Sequence, residues 1–149
     1  AENEQFEVCR LIVASVKDKN PVDNSGYTPL HCATAHGSYE VCKLIIDCIE
    51  DKNPRCKLGE TPLHAAAHEG HLSICKLIIN NVIEKNPKSK EGNTPLHEAA
   101  EKGHFGICKL IVQNVKEIHP KNRDGKTPYD MALEKGNVSV MQLLKYPSL

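Results

Sequence analysis

Apolar residues recur at helical spacing in a stretch that the chain repeats at intervals of 33 residues. The pattern i, i+3, i+4, i+7, i+8 places apolar side chains on one face of a helix. In one copy it is formed by Val41, Leu44, Ile45, Cys48 and Ile49. Corresponding stretches begin at Ile74 and Ile107, and an earlier one occupies residues 6–16. Each stretch therefore predicts an amphipathic helix with one face buried in a core.

A second, shorter pattern precedes three of these stretches and recurs once more near the end of the chain. Thr-Pro-Leu-His-x-Ala begins at Thr28, Thr61 and Thr94, and a weaker copy begins at Thr127, with Tyr129 and Asp130 in place of Leu and His. Threonine is a favoured N-cap, and proline suits the first helical position. Each copy is followed by a glycine suited to a left-handed helix end, at Gly37, Gly70, Gly103 or Gly136. We therefore predict a short first helix of about eight to ten residues in each copy.

Proline and glycine mark the connections between these helix pairs. The pairs are Asn20-Pro21, Asn53-Pro54, Asn86-Pro87 and His119-Pro120. Proline cannot continue a helix and biases the preceding residue toward extended geometry. A glycine always follows six residues after the Asn or His, at Gly26, Gly59, Gly92 or Gly125. The constant spacing predicts a finger-like loop with a tight turn and positive φ at the glycine.

The Thr-Pro-Leu-His-x-Ala motif at a 33-residue period resembles the ankyrin-repeat family, and the resemblance covers nearly the whole chain. It implies an all-α fold, an ankyrin-type α-solenoid of about 4.5 stacked helix-turn-helix repeats with β-hairpin-like loops. We expect a single array over residues 1–149. Its units are a partial N-terminal repeat (1–27), repeats 28–60, 61–93 and 94–126, and a C-terminal capping-like repeat (127–149).

The second helix departs from the usual pattern of the family, which places a glycine near its end. This chain has Val16, Ile49, Val82 and Val115 there instead. We therefore expect the second helix to run about one turn longer than is usual.

The two ends of the array leave alternatives open. The partial repeat has a second helix without a first. Either further repeats precede residue 1 in a longer array, or the earliest residues form a cap. Residues 127–149 are either a natural terminal unit or another truncation.

Net charge and hydropathy indicate whether the chain is expected to bind nucleic acid or insert into a membrane. The formal net charge is zero, so no global field attracts nucleic acid or an anionic membrane. No apolar run approaches the roughly 20 residues that span a bilayer. We expect neither nucleic-acid binding nor membrane insertion.

Seven cysteines bear on the compartment. Cys9, Cys42, Cys75 and Cys108 follow the repeat, and stacked helices lie roughly 8–10 Å apart. Disulfide Cα pairs rarely exceed about 7 Å, so these four cysteines are expected to be buried, unpaired hydrophobes. Cys32, Cys48 and Cys56 are out of phase and are expected to be more exposed. Unpaired thiols favour a reducing, intracellular location, and we predict the cytoplasm.

Five of the eight histidines belong to the repeated pattern. The resemblance implies that His31, His64 and His97 bond the threonine and neighbouring loop backbone. His68 lies four residues after His64, a spacing that can hold a metal, but no third ligand is supplied nearby. No phosphate loop or nucleophile signature is present either. The sequence therefore predicts no metal, no cofactor and no enzymatic activity.

The remaining candidate chemistry lies at positions that vary between copies. In the family, loop tips and the exposed end of the first helix usually contact partners. The resemblance carries this role to the loop-tip residues Asn24, Ser25, Tyr27, Lys57, Leu58, Glu60, Lys90, Glu91, Asn93, Arg123, Asp124 and Lys126. On the first helices it carries the role to Ala35, His36, His68, Glu69, Glu101, Lys102, Glu134 and Lys135.

Two of these positions are apolar. Tyr27 and Leu58 are predicted to anchor a partner, because interface anchors are commonly aromatic or aliphatic. Lys90, Glu101 and Lys102 would then provide steering and register. The alternative is that Tyr27 and Leu58 are ordinary exposed side chains.

The pattern as a whole predicts a non-enzymatic protein–protein interaction module or scaffold, expected to be a monomer that binds a protein partner of unknown identity. One alternative is a structural spacer within a larger multi-ankyrin protein or the cytoplasmic region of a channel. Another is an engineered consensus-like scaffold, since two copies agree at more than half of their positions. The seven cysteines argue against deliberate design.

Overall fold

The computed structural model describes residues 20–147, and this part of the chain contains eight helices and no strand. The helices are α1 (Pro29–Ala35), α2 (Tyr39–Cys48), α3 (Pro62–Glu69), α4 (Leu72–Asn81), α5 (Pro95–Lys102), α6 (Phe105–Val112), α7 (Pro128–Lys135) and α8 (Val138–Lys145). The helix predicted over residues 6–16, together with Cys9 and Val16, lies outside the described residues. Within residues 20–147, none of the helices is long and apolar enough to cross a membrane.

The first helices of the repeats begin as the motif predicts. Each has an extended threonine at the N-cap and proline at its start. Three of them end at a glycine in the left-handed region, for example Gly70 with φ of 86°. Their lengths of seven or eight residues lie at or just below the predicted range.

The prediction of an extended second helix is wrong in the described repeats. Helices α2 and α4 end immediately before Ile49 and Val82, which are extended with ψ of 148° and 152°. Helix α6 ends at Val112, three residues before Val115. Branched side chains accept extended backbone readily, and Ile49 remains 6% exposed because its extended backbone still directs it into the core. At Ile49 the chain therefore leaves the helix early without losing apolar burial, whereas Val82 and Val115 are partly buried.

The helices stack in two layers. First helices pack against first helices (α1 on α3, α3 on α5, α5 on α7), and second helices pack likewise. Leu30, Leu63 and Leu96 are fully buried, as are the paired alanines of α3 and α5. Small residues allow the first helices to approach closely, and the isoleucines of the second helices fill the space behind them.

The cysteines divide into buried and exposed groups. Cys42, Cys75 and Cys108 are fully buried, and burial raises the pKa of each thiol to about 12. Cys32 and Cys48 are exposed, as predicted. All six cysteines within residues 20–147 are unpaired.

The prediction of exposure for Cys56 is wrong. Its side chain is 5% exposed, because the residue lies between two neighbouring loops. A Cβ placed on Gly26 would come within 3.3 Å of the Cys56 Cα, which shows how closely the two loops approach.

The loops form tight turns that bond to one another through main-chain atoms. Gly59, with φ of 74°, donates its N–H to the Cys56 oxygen at 2.8 Å, which closes a turn resembling a β-hairpin. The N–H groups of Lys57, Lys90 and Arg123 each donate to the preceding loop, at 2.9 Å in all three cases. This loop ladder fixes the tips relative to each other, because each tip is bonded to its neighbour.

Candidate functional site

The histidine of each motif connects two repeats. The Thr61 N–H donates to His64 Nδ1 at 3.0 Å, and the Asn93 backbone oxygen lies 3.1 Å from Nε2. An N–H only donates and a carbonyl only accepts, so His64 must be neutral with its proton on Nε2. His31 and His97 make the same contacts, to Glu60 and Lys126 oxygens. The role implied for these histidines is confirmed.

Burial reinforces this neutral state. It lowers the pKa of His64 to about 4, and it also lowers the pKa of His31 and His97. Both ring nitrogens of His64 are already engaged, so this side chain has no lone pair to offer a metal. His68 instead contacts the Glu69 carboxylate at 3.0 Å. Within residues 20–147, no three His, Cys, Asp or Glu side chains are grouped to hold a metal ion.

A cavity of about 480 Å³ opens between the loops and the first helices of three successive repeats. We call it the central groove. The residues that line it are Tyr27, His31, Cys32, Ala35, His36, Glu60, His64, Ala65, His68, Glu69 and Glu98. Loops contribute Tyr27 and Glu60, whereas α1, α3 and α5 contribute most of the rest. The stacking of the repeats thus brings together side chains that are far apart in the sequence.

Six of the predicted partner-contact residues line the central groove: Tyr27, Ala35, His36, Glu60, His68 and Glu69. The ring of Tyr27 meets His31 edge to face, with 5.3 Å between centroids, so its position is held by packing. Leu58 is 57% exposed on the next loop and does not line the groove. The two expected anchors therefore belong to different surfaces.

The other predicted residues lie on the loop tips and beyond the groove. Exposed at the tips are Asn24, Ser25, Lys57, Leu58, Lys90, Glu91, Arg123 and Asp124. Arg123 pairs with Glu91 of the preceding loop at 3.3 Å. Asn93 is half-buried, and its Oδ1 accepts a hydrogen bond from Asn122 at 2.9 Å. It therefore contributes to loop stacking.

Five further predicted residues lie toward the C-terminal side of the array, and four of them form ion pairs. Lys126 pairs with Glu134 at 2.8 Å, and Glu101 pairs with Lys135 at 3.2 Å. Lys102 is exposed at the end of α5. These ion pairs link neighbouring elements on the surface, where each contributes little to stability.

Sequence reasoning missed three residues that line the groove, namely Cys32, Ala65 and Glu98. Each is the residue directly after the motif histidine, where the fourth copy has Met131. This position changes in every copy while the residues around it repeat. That contrast is the signal that identifies them, and it groups them with the other variable positions, which the sequence predicts to contact a partner.

The groove is electrostatically acidic. Burial raises the pKa of Glu98, and the neighbouring Glu60 carboxylate adds to the rise, while His68 opposes it. Hydrogen bonding from His68 lowers the pKa of Glu69. Among residues 20–147, neither Glu60 nor Glu98 forms an ion pair. Such a surface attracts cations and hydrogen-bond donors.

Comparison with known proteins agrees with this architecture. No curated protein matches the chain. Three overlapping copies of the family model for ankyrin repeats match residues 1–89, 37–124 and 81–148. Together with the stacked helix pairs and the bonded loops, these matches show that the chain belongs to the ankyrin-repeat family.

Proposed function

We propose that this chain is a non-enzymatic module that binds a segment of a partner protein along the central groove and the adjoining loop tips. Ankyrin repeats are generally protein–protein interaction modules. The observation that carries the proposal is the groove itself. It crosses three repeats, and apart from His31 and His64 its lining consists largely of residues that the stacking leaves free to vary.

The rigidity of the surface supports this role. The loop ladder and the histidine bonds hold the tips and first helices in place before any partner arrives. Binding to a preformed surface avoids much of the ordering cost that a flexible site would incur.

The groove has the dimensions of a recognition site. Its volume lies in the range of about 300–1,000 Å³ that ligand-binding clefts usually have. Its apolar lining, at Tyr27, Ala35 and Ala65, is bordered by polar groups that can fix the orientation of a bound segment. We propose that the module works as a monomer in a reducing, intracellular compartment, since the described cysteines are unpaired.

Affinity capture with a groove-filling variant tests the proposal. Ala65→Trp places a large side chain in the groove, whereas Ser73→Trp adds the same side chain to an exposed position of α4 that does not line it. Each protein is immobilised, exposed to extract of the native cells, and assayed by quantitative mass spectrometry. We expect at least one protein to be retained by the wild type and by Ser73→Trp but not by Ala65→Trp. Equal retention by all three, or by none, would contradict the proposal.

A further inference from the structure

The ionisable residues that line the central groove are mainly glutamates and histidines. Glu60, Glu69 and Glu98 contribute carboxylates, and no lysine or arginine of the described chain lines the groove. The full chain has a formal net charge of zero, so this is a local excess of negative charge. It sits on a surface that also exposes small apolar side chains.

Four basic side chains of the array are paired with carboxylates that do not line the groove. Arg55 pairs with Glu84, Arg123 with Glu91, Lys126 with Glu134, and Lys135 with Glu101. Lys102 is close enough to lower the pKa of Glu69, but no contact brings it to Glu60 or Glu98. Within residues 20–147, Glu60 and Glu98 thus line the groove without forming an ion pair, and the imidazole of His68 only partly offsets the charge of Glu98.

Glu98 is the most telling of these groups. It is only partly exposed, and burial raises its pKa. Repulsion from Glu60 adds to this rise, while His68 and a hydrogen bond with Asn93 oppose it, so the net effect makes its charge less favourable in the free protein. A cation supplied by a ligand would relieve both the burial and the repulsion. A charge that is costly in the free state and satisfied in the complex favours a cationic ligand over a neutral one.

The shape of the groove selects among cations. A metal ion needs ligands close together, and the described residues contain no such group. A guanidinium is planar and has five donors, so it spans separated carboxylates better than a compact ammonium. Ala35 and Ala65 leave room for its aliphatic stem, and the Tyr27 ring supplies an apolar wall.

We propose that the central groove binds an extended segment of a partner protein through an arginine, whose guanidinium lies between Glu60 and Glu98 and whose stem packs against Tyr27 and Ala65. The inference rests on the proposed function and narrows it to one class of partner. Glu69, already bonded to His68, borders the site and adds to its negative potential.

The test begins with a random-peptide phage library selected on the wild-type protein. We expect arginine at one dominant position in the selected peptides. A synthetic peptide with the consensus sequence is then compared with the same peptide carrying citrulline, which keeps the shape of arginine and removes its charge. The citrulline peptide should bind at least about tenfold more weakly by fluorescence anisotropy.

Variants of the protein provide the complementary comparison. Glu60→Gln and Glu98→Gln each keep the side-chain size and remove one charge. Each variant should bind the arginine peptide about tenfold more weakly, and its affinity for the citrulline peptide should be unchanged. Glu40→Gln is the matched control, because Glu40 is exposed on α2 outside the groove. It should leave the affinity unchanged.

Two exposed thiols report where the peptide lies. Cys32 lines the groove and Cys48 does not. Bound peptide should slow alkylation of Cys32 and leave that of Cys48 unchanged, as measured by mass spectrometry. Equal protection of both cysteines, or of neither, would overturn the placement.

The outcomes separate this inference from the proposed function. Selected peptides that are blocked by Ala65→Trp but lack arginine, and that bind Glu60→Gln and Glu98→Gln normally, would overturn the inference and preserve the function. Failure to select any groove-binding peptide would also overturn the inference. The proposed function would fail only if proteins from the native extract were retained equally by the wild type and Ala65→Trp, or by neither.

Discussion

The Nε2–H of His64 donates a hydrogen bond to the backbone oxygen of Asn93, which lies 29 residues further along the chain and 3.1 Å away. The same imidazole accepts the N–H of Thr61, so it joins the start of its own helix to the loop of the next repeat. Protonation of Nδ1 would place two donors against each other. The histidine can therefore hold both partners only while it is neutral.

This requirement predicts a loss of stability in mild acid. The pKa of His64 is about 4 in the folded state and 6.5 ordinarily, so the unfolded chain binds more protons between these values. Above pH 6.5 this histidine should not reduce the free energy of unfolding. As the pH falls from 6.5 toward 4, its contribution should lower the free energy of unfolding by about 3 kcal/mol. The free energy of unfolding can be measured by urea denaturation for the wild type and for His64→Gln, in which this position does not titrate. Between pH 6.5 and 4 the wild type should lose more of this free energy than the variant. A constant difference between them would contradict the assignment.

The last repeat supplies an internal comparison, because an anionic side chain takes the place of the neutral histidine. Asp130 occupies the histidine position and accepts the N–H and hydroxyl of Thr127 at 2.8 and 2.7 Å. These hydrogen bonds lower the pKa of Asp130 below its ordinary 3.8. Its stabilisation is therefore present above pH 3.8 and lost only as the pH falls through the lowered value. Asp130→Asn should consequently change the acid unfolding at lower pH than His64→Gln does.

Two equivalent loop glycines provide a matched test of repeat stacking. Gly92 and Gly125 have φ of 79° and 75°, so alanine costs about 1–2 kcal/mol of backbone strain at either position. At Gly92 the new Cβ would also come within 2.9 Å of the Asn122 backbone, whereas at Gly125 it meets nothing within 4 Å. We expect Gly92→Ala to lower the free energy of unfolding by about 1–3 kcal/mol more than Gly125→Ala does, as measured by urea denaturation. Equal losses would show that the loops tolerate separation.

Glu98 is predicted to trade stability for binding. Its folded pKa is raised above the ordinary 4.5, so ionisation weakens the fold as the pH rises through this region. Glu98→Gln should therefore raise the melting temperature at neutral pH, and the gain should disappear below pH 4.5, where the carboxyl is protonated in both states. The same variant should bind an arginine peptide more weakly. A melting temperature unchanged or lowered at neutral pH would contradict the cost assigned to the charge.

Thiol reactivity should follow the two classes of cysteine. Cys32 and Cys48 are exposed, whereas burial raises the pKa of Cys42, Cys75 and Cys108 to about 12. In native protein, maleimide should modify the exposed pair rapidly and leave the buried three unmodified until the chain unfolds. Mass spectrometry of proteolytic fragments distinguishes these sites. Rapid modification of Cys75 in the central repeat would show that the core opens.

The sequence predicts those parts of the fold whose causes are local. Thr61 caps a helix and Gly59 turns a loop because of their own backbone preferences, and each recurs in every repeat. The end of α2 was not predictable in this way. Ile49 satisfies a helical pattern, yet it is buried as well in extended geometry, so periodicity alone does not distinguish the two.

Other features depend on contacts between repeats. Cys56 is buried only because a neighbouring loop covers it, and nothing in its own loop sequence reveals that neighbour. The acidity of the groove likewise arises from Glu60, Glu69 and Glu98, which the stacking assembles from different elements. The variable position occupied by Glu98 is visible in the sequence, but its proximity to Glu60 is a property of the folded array.

The bonds between neighbouring loops are made by main-chain atoms at Lys57, Lys90 and Arg123, so they place almost no demand on the side chains there. Under the proposed function, exchanging those side chains would alter what the module recognises while its framework persists. An evolving lineage, or a protein engineer, can therefore change the side chains of one loop at a time, and the spacing of all the other loops is preserved.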